Sequence, residues 1–223
     1  MTAAREDAHP TESRLPTPRR ARMTGAQRRE QLLDVGRVLF AERGFDATSV
    51  EEVAHRAGVS KPVVYGHFGG KEGLYTAVVE RESERLLGML TAALSDGHPR
   101  EVLHQAATAF LEYVEQCTDG FRILLRGSGV GSSMGTLTTL LDDVAAQAEE
   151  ILARAFAAHG YRTSFAPIYA QMLVGMVAFT GQWWLDARAP ARDDIVAHVV
   201  NLAWNGLSRL DAEPSAPDLS TSR

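Results

Sequence analysis

Three observations predict an all-α protein. Apolar residues recur at helical spacing in one stretch after another, from Leu32 to Leu207. The breaks between stretches hold residues that start or stop helices: Gly44, Gly58, Ser60 with Pro62, the run from Ser95 to Pro99, and Gly160. Between Thr48 and Tyr75, two short helical patterns are separated only by a tight turn.

From Thr24, the positions Leu32, Leu33, Gly36, Leu39 and Phe40 mark one face of a first helix that ends at Gly44. Thr48 followed by Glu51 has capping-box spacing and opens a second. Val50, Val53, Ala54 and Ala57 form its apolar face, and Gly58 supplies the positive φ that ends it. Ser60 is placed to cap a third helix, with Pro62 in its first turn, where a missing N–H costs nothing. Two short helices joined in this way form a helix-turn-helix, whose second helix shows its N-terminal side chains to bases in the major groove. Here those are Lys61, Pro62, Val63 and Gly66. Lys61 is the candidate reader of guanine O6 or N7, and Val63 of a thymine methyl group. Gly66 is a poor helix former, so it either admits close approach to DNA or loosens the helix.

The pattern that begins at Leu32 and Leu33 continues through Gly36, Phe40, Gly44 and Phe45. It then passes through the AGVS turn to Tyr65, His67, Phe68, Lys71 and Leu74. As a whole it resembles the N-terminal domain of TetR-type transcriptional repressors. The resemblance implies that Tyr65, His67, Lys71 and Thr48 contact phosphates, that Arg28 lies near the DNA backbone, and that Val64 and Phe68 point inward. It also implies a homodimer in which the last two helices of each copy pair into a four-helix bundle.

Four segments are expected: a basic tail over 1–21, a DNA-binding domain over 22–70, a ligand-binding and dimerisation domain over 71–210, and a second tail over 211–223. Lys71 opens a long helix through Ala93, and the next carries Leu103, Ala106, Phe110, Tyr113, Val114 and Cys117 on one face. A short apolar segment, Phe121 to Leu125, leads to the glycine-rich run 127–135, read as a mobile connection. That run has no preceding strand and no following Gly-Lys-Ser/Thr, so the context of a phosphate loop is missing. A helix with Leu137 to Ala155 on its apolar face follows and ends at His159 and Gly160. Helices from about Ser164 and Arg192 are apolar around much of their circumference and need cover on more than one side. In the last helix, Ile195, Val199 and Leu202 are assigned to the chain's own core, and Val196, Val200, Ala203 and Leu207 to a second copy.

The net charge of −5 conceals an asymmetry: residues 1–70 hold 11 basic and 9 acidic side chains, the remainder 12 and 19. Arginines 14, 19, 20, 22, 28 and 29 follow one another with no acid between Glu12 and Glu30, and such a cluster gives salt-dependent affinity for phosphates. No uninterrupted run of about 18 apolar residues predicts a membrane span, and no secretory leader is evident, so a cytoplasmic protein is expected. A single cysteine, Cys117, has no intramolecular partner.

Tyr113, Met172, Met176 and Trp183 are the candidate wall of an effector pocket, although a stripe of this kind is more often packed core. The seven histidines are scattered, no metal-binding or nucleophile motif occurs, and no cofactor is expected. The chain is therefore read as a repressor released from a palindromic operator by a small apolar molecule. An activator of the same fold, or a helical enzyme acting on a small molecule, stays open as an alternative.

Overall fold

The computed structural model describes residues 23–94, 97–126 and 136–214. Among them run nine α-helices: α1 Gly25–Arg43, α2 Val50–Ala57, α3 Lys61–Phe68, α4 Lys71–Ala93, α5 Pro99–Gln116, α6 Thr118–Arg126, α7 Thr136–His159, α8 Ala166–Ala187 and α9 Arg192–Leu207. A 3₁₀ turn, Thr163–Phe165, precedes α8. The tails expected over 1–21 and most of 211–223, and the glycine-rich connection 127–135, lie outside the described residues.

A capping box opens α1: the Thr24 hydroxyl accepts from the Gln27 amide at 3.2 Å, and the Gln27 side chain accepts from the Thr24 amide at 2.9 Å. The first core closes where the sequence places it. Leu32, Leu33, Leu39 and Phe40 from α1 meet Val50, Val53, Ala54 and Ala57 from α2 and Val64 from α3, all buried. Leu74, Tyr75 and Val78 of α4 complete it, with Ile123 of α6. The segment read as a short apolar stretch is thus a helix with two duties. Ile123 enters the first core, while Phe121 and Leu124 enter the second, larger one.

That larger core is built from α4, α5, α7, α8 and α9 around Leu86, Phe110, Tyr113, Val144, Trp184 and Val199. The two-sided reading of α9 is corrected here. Val196, Val200 and Ala203 are buried within their own chain, whereas Leu202 is 67% exposed. The apolar surface left open belongs chiefly to α8, where Ile168, Met172, Phe179 and Trp183 are exposed. With its 3₁₀ turn, Thr163–Ala187 is long and apolar enough, by length and composition, to cross a membrane; it packs against α7 and α5.

Candidate DNA interface and effector cleft

The cap of α2 sits one residue later than expected. Ser49 is the N-cap, accepting from the Glu52 amide at 3.2 Å, and Gly58 ends the helix at φ 66°. Thr48 is 2% exposed and donates its hydroxyl to the Gly44 carbonyl at 2.8 Å, so that hydroxyl closes the α1–α2 loop instead of meeting a phosphate. Ser60 caps α3 by position alone, without a side-chain bond, and Pro62 lies in the first turn.

On α3, Lys61, Pro62, Tyr65 and Gly66 are exposed, His67 is half-buried, and Val64 faces the core. A side-chain carbon added at Gly66 would meet no protein atom within 4 Å, so the glycine leaves open space on the outward face. Val63 is partly buried against the first core, which limits what it can offer a thymine methyl group. Lys61 pairs with Glu51 of α2, and this contact, its hydrogen bond first, holds the Glu51 carboxyl below its ordinary range. Lys71 is committed elsewhere than expected. Its ammonium donates to the Phe45 carbonyl at 3.1 Å and lies 4.2 Å from the centre of the Phe45 ring, fastening the start of α4 to the α1–α2 loop. Arg28 bonds Gln31, which reaches the Ala57 carbonyl at the end of α2 at 3.2 Å, and the Arg29 guanidinium lies over the Phe68 ring at 5.1 Å.

None of the four residues expected to wall an effector pocket lines the main apolar cleft, although Met172 borders a separate groove beside Phe156 and Tyr161. Tyr113 is fully buried and donates its hydroxyl to Glu82 at 3.1 Å; burial, with the neighbouring Glu82 charge, pushes that hydroxyl far above the ordinary tyrosine range and keeps it protonated. Met172 and Trp183 are on the outer side of α8, 60% and 58% exposed, and Met176 packs against the larger core. The cleft opens instead among α4, α5, α7 and α8. It is a half-open groove with Leu90, Phe110, Val144, Leu152, Leu173 and Val177 in its wall. No lining side chain carries a polar atom. Its signal in the sequence was the α7 face of Leu141, Val144, Ala148 and Ile151, set opposite Leu173 and Val177, rather than the aromatic residues. Among the described residues, no group of three His, Cys, Asp or Glu side chains is placed to hold a metal.

A helix-turn-helix with an open recognition face, joined through one long helix to a helical half with an apolar cleft, defines a one-component DNA-binding regulator. The comparisons agree. Residues 32–78 match the family model described as bacterial regulatory proteins, tetR family, and residues 99–206 match a tetracyclin repressor-like C-terminal domain. The transcriptional activator FasR of Mycolicibacterium smegmatis is 31% identical over 196 residues, covering 85% of this chain and 87% of FasR. The repressor BdcR of Escherichia coli is 35% identical over 102 residues, 42% of this chain and 52% of BdcR. A TetR-like regulator from Rhodococcus sp. RHA1 superimposes with a TM-score of 0.66 at 27% identity, covering 84% of this chain and 99% of that one. The chain belongs to the TetR family of transcriptional regulators.

Proposed function

We propose that the protein binds a two-fold symmetric operator as a homodimer and leaves it when an uncharged apolar molecule occupies the cleft. The observation that carries this reading is a cleft whose lining has no polar side chain, in the same chain as an exposed recognition helix. Such a lining desolvates hydrocarbon and penalises charge. Lys61 and Tyr65 are the leading DNA contacts, with Pro62, His67 and the Ser49 end of α2 beside them. Thr48 and Lys71 act through the loop they brace. The exposed face of α8, with Leu202 of α9, is the dimer surface, because apolar patches of this kind mark association. A DNA-binding regulator works in the cytoplasm, and no catalytic step is assigned to the cleft.

Repression and activation share this machinery. Activation is favoured by FasR, which is an activator and is similar over most of its length; BdcR, a repressor, is similar over about half of its own.

The test is selection of duplexes from a random pool by the purified protein across a salt series, with Tyr65→Ala alongside. A palindrome bound by the wild type and weakened in the variant supports the reading, and transcription in vitro from promoters carrying that palindrome then separates repressor from activator. Uniform weak binding, lost steeply with salt, would reduce the protein to an electrostatic DNA contact.

A further inference from the structure

Glu82 is the charged side chain that the described residues bury, at 2% exposure, and it sits where the two halves meet. Its carboxylate draws on two other helices and on its own. From α5, the Tyr113 hydroxyl donates to Oε2 at 3.1 Å. From α1, Arg37 Nε lies 3.8 Å from Oε1, and the same guanidinium is 3.4 Å from Asp119 of α6. Beside it on α4, Arg81 Nη2 lies 3.5 Å from Oε1 and also reaches Glu30 and Asp34 of α1 at 3.2 and 3.0 Å. Gly120 of α6 leaves the room this arrangement needs: a side-chain carbon there would lie 2.3 Å from Glu82 Oε2 and 2.7 Å from the Tyr113 hydroxyl oxygen.

Apolar surfaces slide past one another at small cost, but a buried carboxylate does not forgive the loss of its partners. A shift of α1 against α4 and α5 that withdrew Arg37 would leave that charge buried and poorly paired. The seam therefore favours one orientation, and the α1–α3 bundle that carries the recognition helix is on one side of it. On the other side, the Phe121 ring meets Tyr113 edge-on at 6.5 Å and Phe110 at 5.6 Å, and Phe110 lines the cleft.

We infer that Glu82 is a positioning residue for operator binding: through Arg37 it holds the helix-turn-helix half in one orientation, with Tyr113 as its anchor in the regulatory half. This inference rests on the dimeric operator reading above. In a dimer, that orientation sets the distance between two recognition helices, which must match major grooves about 34 to 36 Å apart. Glu82 thereby sets the half-site spacing the dimer accepts.

The test uses the full chain and the selected palindrome, remade with its half-sites one base pair closer or farther apart, together with a duplex holding one half-site. Wild type is expected to prefer one spacing steeply. Glu82→Gln, Tyr113→Phe and Gly120→Ala are each expected to flatten that preference by about tenfold, a common size for coupling between sites, with half-site affinity unchanged. Leu111→Ala, which opens the same core away from the network, should keep the wild-type spacing profile. Variants that fold by circular dichroism and retain the wild-type profile would overturn the inference, as would losses equal on every duplex, which report folding alone. Should Glu82→Gln fail to fold, Tyr113→Phe decides, since it removes one oxygen. If wild type selects no palindrome, the operator reading falls and this inference falls with it.

Discussion

The two halves of the chain are closed to different degrees. In the DNA-binding half, Leu32, Leu39, Phe40, Val64 and Leu74 are at most 1% exposed, and its cations are engaged locally: Arg43 with Glu52 at 2.6 Å, Arg56 with Glu42 at 3.1 Å, and Lys61 with Glu51. The regulatory half keeps an apolar cleft and exposes Phe179 to 75%, Trp183 to 58% and Leu202 to 67%. The DNA-binding half closes its apolar core, with Ile123 of α6 completing it. The other leaves such surface open, in the cleft and on α8, where the proposed ligand and second copy would bind.

Five substitutions sharpen or break this contrast. Phe40→Ala opens a hole in a closed core and is expected to cost about 3–5 kcal/mol; chemical denaturation should show the loss, with operator binding lost alongside. Next in size, Phe179→Ala should leave the fold intact and weaken self-association by about 2 kcal/mol or more, the scale of an interface hot spot. Sedimentation over a concentration series reads it, and an unchanged dimer would move the interface off α8. Lys61→Ala is expected to cost roughly 1–3 kcal/mol on the selected operator and to relax preference at one position; equal binding to every base variant would remove Lys61 as a reader. The smallest effect belongs to the cleft. Ala148→Leu places bulk into unfilled space and should change the melting temperature by the equivalent of less than about 1 kcal/mol, whereas Ala57→Leu in the closed core should cost about 1–3 kcal/mol. If the two cost the same, the halves are equally packed and the contrast fails.

What the sequence made legible follows the same division. Amphipathic helices with one apolar face declare which side is inside, so every assigned core position of α1 and α2 is buried. Where a helix is apolar nearly all round, period carries no direction. The neighbours decided that Val196 and Val200 turn inward while Leu202, Met172 and Trp183 turn out. Thr48 and Ser49 are adjacent hydroxyls with equal claim to cap α2, and the closing of the preceding loop awarded the cap to Ser49. Glu82 lies in the charge-rich stretch Glu80 to Arg85, a composition typical of a solvated helix face. Only the meeting of four helices makes it interior, and nothing local in the sequence announces that.

Helix α6 has a consequence for how such regulators can be cut and recombined. Ile123 plugs the first core while its neighbours Phe121 and Leu124 belong to the second, and Arg126 at its end donates to the Phe40 and Ala41 carbonyls at 3.1 and 2.7 Å. The border between the halves is therefore not a single point on the chain. A graft severed after α4 takes the reading head but leaves its plug behind, so a chimera with new operator specificity inherits a sound core only if its α6 comes from the same parent as its α1.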